Sequence, residues 1–367
     1  MENNWKEVKL EELIKFGNGK QRPNSEGLIP VYGGNGILSY TESSNYDGET
    51  LIIGRVGAYC GAVYYDNRPI WISDNALSGK PKDNYDTKFL YYFLKNLDLN
   101  QYAGGSSHPL VTQTLLNSLE FNVCIDAYEQ KAIASVLSSL DDKIDLLHQQ
   151  NQTLEALAET LFRQWFIEEA KEDWEDCTIG DLANHSKISV HPNRYPDTLY
   201  HHYSIPAFDA NKKPVVELGK EIQSNKYKVE ENSILFSKLN PHKDKRVWLI
   251  QDRVEDYAIC STELQVVKPK DDDYLYFIYG WLTNSIYYNE IAAGVGGTSG
   301  SHQRIEPKAI FSAPCVKIKK NIILQYNLHA KPLFKKQFEN QQQIQTLTQL
   351  RDALLPKLMS GEVRVKM

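Results

Sequence analysis

Residues 226–246 read KYKVEENSILFSKLNPHKDKR, with six lysines and arginines against three acids. Clustered cations neutralise phosphates, and forked guanidinium or amide side chains read base edges, so the stretch suggests contact with a nucleic acid. Its candidates are Lys226, Lys238, Lys243, Lys245 and Arg246, the last three in what reads as a hairpin tip. The polar run SHQR adds Ser301, His302, Gln303 and Arg304. Nearer the N-terminus, Arg55 and Tyr59 lie in IGRVGAYCG, Tyr32 and Asn35 in VYGGNG, and Ser106 and His108 in GGSSH. Glycine lets a backbone come close to a ligand, as a groove contact needs. The same patterns also suit solvated lysines and tight turns.

Catalytic chemistry finds few parts. No G-x-x-x-x-G-K-[ST] loop is present to carry ATP hydrolysis. An amino-methyltransferase tetrapeptide of the N-P-P-[YF] type is missing too: in LNPHK (239–243) His242 replaces the second proline. GVGGTSG at 294–300 follows no strand–turn–helix pattern and reads as a loop that touches phosphate at most. His201 and His202 have no carboxylate or cysteine at ligand spacing, so no metal and no cofactor is expected. The five cysteines are odd in number and never spaced C-x-x-C, which argues against a disulfide framework. The polar, acidic N-terminus does not read as a signal peptide, and no long apolar run suggests a membrane span. A reducing cytoplasm is the expected compartment.

The elements that must position these groups come in duplicate. QQNQTLEALAETLF (149–162) returns as QQIQTLTQLRDALL (342–355). WKEVKLEEL (5–13) resembles WEDCTIGDL (174–182), and LIIGR (51–55) resembles ILFSK (234–238), which aligns Arg55 with Lys238. Lys80-Pro81 matches Lys268-Pro269, and Gly104-Gly105 matches Gly296-Gly297. The matches keep their order while the offset climbs from 169 to 193, as in a tandem repeat with insertions in its second copy.

Each copy reads as a mixed globular part followed by a long helix. In the first helix Ile133, Leu137, Leu140, Ile144, Leu147, Asn151, Leu154, Ala158, Leu161 and Trp165 alternate by four and three, a heptad seam in which one polar Asn can set register. About 40 residues at 1.5 Å each make a rod of roughly 60 Å. In the second helix Leu333, Ile344, Leu347, Leu354 and Leu358 hold seam positions, while Pro332 suggests a break or start. Net charge is −6 overall, but 126–170 carries −6 and 321–367 carries +4. Opposite charge favours pairing of the two helices within one molecule, with Asp141, Asp142 and Asp145 facing the second helix. A core helix in a bundle is the plainer alternative.

These stretches carry a resemblance. YEQKAIASVLSSLDDKIDLLHQQNQTLEALAETLFRQWF (128–166) and LRDALLPKLMSGEVRV (350–365) resemble the specificity subunit of type I restriction-modification systems, as do IPVYGGNGILSYTE and LIIGRVGAYCGAVYY. The resemblance implies an α+β chain in which target recognition domains at 1–125 and 171–320 alternate with spacer helices at 126–170 and 321–367. The helices would run antiparallel as an intramolecular coiled coil, with a pseudo-twofold relation between the copies. It implies a non-catalytic subunit that binds double-stranded DNA at two half-sites. It also implies two methyltransferase subunits as partners and, through them, endonuclease subunits. Two other readings are a stand-alone nuclease or methyltransferase, which would act without a partner, and a coiled-coil scaffold, which would bind no DNA even with one.

Overall fold

A computed structural model of the chain describes residues 4–105, 109–241, 245–251, 253–293 and 303–365. It divides into two compact units, 1–149 with 340–367, and 150–339.

The first unit opens with β1 (Trp5–Lys9), a single turn α1 (Leu10–Leu13) and β2 (Ile14–Asn18). A hairpin of β3 (Ile29–Gly33) and β4 (Gly36–Thr41) follows, then β5 (Thr50–Gly54), β6 (Val63–Asp66), β7 (Trp71–Ile72) and β8 (Ala76–Pro81). Helices α2 (Thr87–Asn96) and α3 (Gln113–Ser118) lead to β9 (Glu120–Cys124), which returns antiparallel to β1. The main sheet has the order β2-β8-β5-β6 and a smaller one the order β4-β3-β7. β5 is buried along its whole length because both faces are covered. Leu51 and Ile53 pack with Phe89, Leu90 and Phe93 of α2, and Ile52 packs with Tyr32, Ile70 and Ile72. Asp86 caps α2 by accepting from the Phe89 amide at 2.8 Å. The long helix α4 (Ala127–Arg163) then runs on past the unit's boundary at Gln149.

The second unit repeats the plan with β10 (Glu175–Thr178), α5 (Ile179–Leu182), β11 (Ala183–Ser186) and β12 (Ser189–Val190). Next come β13 (Leu199–Tyr203), α6 (Ile205–Asn211), β14 (Val215–Leu218), β15 (Lys226–Lys228) and β16 (Ser233–Ser237). The chain continues through β17 (Val247–Ile250), β18 (Ala258–Cys260) and β19 (Leu264–Pro269). α7 (Leu275–Thr283), α8 (Ser285–Ala293), α9 (Pro307–Phe311) and β20 (Pro314–Lys317) precede the last long helix, α10 (Lys320–Met359). Its main sheet, β11-β19-β16-β17, matches β2-β8-β5-β6 strand for strand, and β10–β20 matches β1–β9. The copies differ in the second sheet, which here is β12-β15-β18-β13-β14.

The matched lysines have matched work. The Lys80 ammonium donates to the carbonyls of Asp47, Gly48 and Glu49 at 2.6, 3.1 and 2.8 Å, closing the turn into β5. Lys268 donates to the carbonyls of Glu231 and Asn232 at 2.9 and 3.4 Å and to Asp272 at 2.7 Å, closing the turn into β16. An ammonium has three donors and no acceptor, which suits a cluster of convergent carbonyls. Lys268→Met is therefore expected to cost about 1–2 kcal/mol, read from the urea midpoint, since hydrogen bonds from a charged donor are worth that order. A change within error would place this lysine among the solvated ones.

Within each unit the helix segments pair antiparallel. In the first, Ile144 and Leu147 meet Ile344 and Leu347, the Asp141 carboxylate meets Arg351 at 2.7 Å, and Arg364 forks onto Glu129 at the start of α4. Those arginine hydrogen bonds hold the buried Glu129 carboxyl below the usual range. Asp142 and Asp145 are exposed, so only one of the three expected acids faces α10. In the second unit Gln337 donates to the Asn151 carbonyl at 3.2 Å, and Phe166 lies edge-on to Tyr326.

Two expectations are corrected. α10 is unbroken at Pro332. That residue is exposed, and the carbonyl of the exposed Leu328 that loses its partner is on the wet face, while Tyr326, Ala330 and Phe334 pin the opposite one. The four-three seam of α4 holds through Leu154 and Ala158, with Leu140 half-buried. Phe162 and Phe166 are then buried in place of Leu161 and Trp165, which are half-buried. A 3.6-residue helix drifts from a 3.5-residue seam, and the shift follows the unit's core into a π-helical turn at Gln164–Glu168.

Candidate nucleic-acid interface

In the first unit the end of β5 builds one candidate surface. The Arg55 amide donates to the Asn75 carbonyl at 3.0 Å, and its carbonyl accepts from the Val111 amide at 2.9 Å. The chain then turns through Gly57–Tyr59, leaving Val56 and Tyr59 exposed. The β3–β4 turn lies against this segment because Gly34 and Gly54 lack side chains. A Cβ on Gly54 would sit 2.3 Å from the Tyr59 carbonyl oxygen and 2.7 Å from that of Gly34. Asn35, exposed at the turn's tip, is thereby brought to the same end as Arg55 and Tyr59. Arg55 forms no ion pair among the described residues, and its buried Nε has no hydrogen-bond partner. Beside it the hairpin exposes Ile37, Leu38 and Tyr40, which no charge pattern had singled out.

Tyr32 is placed differently from expectation. It is buried, and its hydroxyl donates to Asp66 at 2.9 Å while Arg68 grips the same carboxylate. Burial, then Asp66, pushes the phenol well above its ordinary range, so it remains a donor inside the unit. Its exclusion from the surface follows from its position in a strand buried from Pro30 to Gly33.

The second unit repeats the frame with other side chains. The Lys238 amide donates to the Glu263 carbonyl at 3.0 Å and its carbonyl accepts from the Ile305 amide at 2.8 Å, the bonds Arg55 makes to Asn75 and Val111. The Asn240 amide donates to the Gln303 carbonyl at 2.9 Å. Lys238, Gln303 and Arg304 are thus neighbours, and Glu263 joins two of them: Arg304 binds it through Nε and Nη2 at 3.1 and 3.2 Å, and the Lys238 ammonium lies 3.9 Å away.

Three other candidate cations of this unit, Arg246, Lys245 and Lys226, are engaged internally. Arg246 forks onto Asp209 at 2.6 and 2.8 Å. Lys245 donates to the Thr283 carbonyl at the end of α7 and lies 5.9 Å from the centre of the Tyr288 ring. Lys226 is a correction. It is buried, donating to the Ser224 carbonyl and hydroxyl at 3.2 and 2.6 Å, and burial lowers its pKa. A three-residue strand gives no period from which its inward side could be read. Ser106, His108, Lys243, Ser301 and His302 lie outside the described residues. His202 shares a hydrogen bond of 2.5 Å with Glu217, and no group of three metal-ligating side chains occurs among the described residues. No helix there is long and apolar enough to cross a membrane.

Residues 2–156 match the type I restriction modification DNA specificity domain. The chain is 30% identical over 323 residues to the type I restriction enzyme MjaIX specificity subunit of Methanocaldococcus jannaschii, an alignment covering 78% of this chain and 71% of that one. It is 22% identical over 361 residues to the HindI specificity subunit of Haemophilus influenzae, covering 75% and 77%. The fold is shared with the crystal structure of a type I restriction-modification S subunit from M. genitalium, with a TM-score of 0.70 at 17% identity over 100% of this chain and 98% of that one.

Proposed function

The chain belongs to the specificity subunits of type I restriction-modification systems, the non-catalytic subunits that recognise DNA sequence, and from that membership we propose that each unit reads one half of a bipartite duplex target. Residues 1–125 and 171–320 are the target recognition domains in this reading, and 126–170 and 321–367 the spacer helices. The observation that carries it is the repeated cation: Arg55 and Lys238 directly follow the matching inner strands β5 and β16 of the two main sheets and make equivalent pairs of backbone bonds. Phosphate contacts set register, and base contacts from the neighbouring loops specify sequence. Asn35, Arg55 and Tyr59 serve one half-site; Lys238, Gln303 and Arg304 serve the other. With a net charge of −6, the chain alone is expected to bind DNA weakly.

The partners are two methyltransferase subunits and, through them, endonuclease subunits, acting in the cytoplasm. The repeat supports a pair of like partners: Leu157 and Leu350 occupy matching places in the duplicated helix and are 50% and 45% exposed. Leucines that solvated at equivalent sites fit two copies of one apolar surface.

Co-expression with a methyltransferase subunit, followed by genome-wide mapping of methylated positions, tests the reading. A two-part motif with a fixed unread gap is expected; methylation by the chain alone, or no motif at all, would count against it. Matched four-residue insertions near Gln150 and Gln343 should widen the gap by about one to two base pairs, because four helical residues add roughly 6 Å against 3.4 Å per base pair. Both half-site sequences should persist. An active complex with an unchanged gap would show that the helices do not set the spacing.

A further inference from the structure

Glu263 precedes β19 and holds two cations from distant stretches, Lys238 and Arg304. Among the described residues the first unit has no such clamp. Asn75 stands where Glu263 does, since each accepts the amide of the matched cation, and Leu110 stands where Arg304 does, since Val56 bridges Leu110 as Leu239 bridges Arg304. The second unit therefore carries an arginine and a carboxylate together, at the end of β16, in the places where the first has Leu110 and Asn75.

A guanidinium offers two forks. Glu263 occupies the side-on fork of Arg304, Nε and Nη2, at 3.1 and 3.2 Å. The end-on fork, Nη1 with the remaining N–H of Nη2, has no partner among the described residues, and the side chain is 46% exposed. A carboxylate held on one edge fixes the plane of the guanidinium, which a lone arginine on a surface lacks. Lys238 beside the same carboxylate leaves the cluster with one net positive charge, so the clamp does not repel a phosphate backbone.

We propose that Arg304 reads a guanine in the half-site of the second unit, its end-on fork donating to O6 and N7, and that Glu263 is its positioning residue. The assignment rests on the reading of this unit as a DNA-recognition domain. It separates the two units by chemistry: the first presents Arg55 beside a neutral Asn75, the second a pre-aimed fork.

The test uses the chain co-expressed with its methyltransferase subunits, with the host genome as probe and methylated positions as readout. In the Arg304→Ala complex, one position of one half-site should lose its preference for guanine, a discrimination of about five-fold to more than a hundred-fold. The other half-site should be unchanged. Arg304→Lys should not restore it, because an ammonium has no fork. Glu263→Gln should weaken preference at that same position and nowhere else. Co-purification of each variant with its partners checks that it folds. An Arg304→Ala complex that methylates every site more slowly with an intact motif, or a lysine that rescues, would reduce Arg304 to a backbone contact and overturn the proposal. A Glu263→Gln complex altered at a different position would make Glu263 a reader itself, ending its positioning role. A wild-type complex without a two-part motif would sink the functional reading instead.

Discussion

Phe162→Ala is expected to destabilise the second unit by about 3–5 kcal/mol, the range for deleting a buried aromatic side chain. The ring is 1% exposed and is packed by Phe166, Phe277 and Trp281 at centroid distances of 5.3, 6.2 and 5.5 Å. It enters because α7 has Gly280 beneath it: a Cβ there would sit 2.2 Å from Phe162 Cδ2. A glycine inside a helix costs about 1 kcal/mol relative to alanine, so its position in α7 has a packing reason. Gly280→Ala alone should cost about 1–3 kcal/mol by overpacking. In the Phe162→Ala background the same change should cost less or stabilise, because it fills part of the cavity and restores helix propensity. Urea unfolding, with hydrogen exchange over 275–283 as the local readout, measures both. Simple additivity of the two substitutions would show that glycine and ring do not depend on each other.

The duplicated plan was legible because it is written in local pattern. The apolar run TLIIG is strand because both its faces are buried, and the offset that aligns Lys80 with Lys268 aligns two turns closed by an ammonium. Long-range partners were not legible. Glu263 and Arg304 are 41 residues apart, and nothing near either names the other. Arg246 lies in a basic run and reads as free, yet Asp209 takes both of its inner N–H groups. The heptad seam failed at Phe162 for a related reason. Periodicity reports which face of a helix is apolar, and α4 carries two such faces near its end, between which the unit's core chooses.

The second large effect concerns the Asp141 carboxylate, which accepts from the Tyr92 hydroxyl at 2.7 Å on one oxygen and from Arg351 at 2.7 Å on the other. Burial, then Asp141, raises the Tyr92 pKa, so the phenol stays a donor. Arg351→Ala and Asp141→Ala should each cost about 1–3 kcal/mol: either change breaks the half-buried ion pair, and loss of Asp141 also strands the buried Tyr92 hydroxyl, while Arg351 keeps Asp352 at 2.8 Å. A double-mutant cycle should return a coupling of about 1–3 kcal/mol. Tyr92→Phe should cost about 1 kcal/mol. A coupling near zero would make the triad an ordinary solvated ion pair. The offsets of the repeat place Gly280, Phe334 and Ala158 where the first unit has Tyr92, Asp141 and Arg351. Phe334 stacks on Tyr276 at 5.2 Å, and Ala158 belongs to the same core as Phe162. One copy thus joins helix to domain by charge and hydrogen bonds, and the other by a ring over a glycine. A phenylalanine at Asp141 would leave the buried Tyr92 hydroxyl without its acceptor and Arg351 with Asp352 alone. The two copies of the helix have ceased to be interchangeable. A chain that carries the same helix twice thereby distinguishes the pairing of its two unlike helices from the pairing of either helix with its own like.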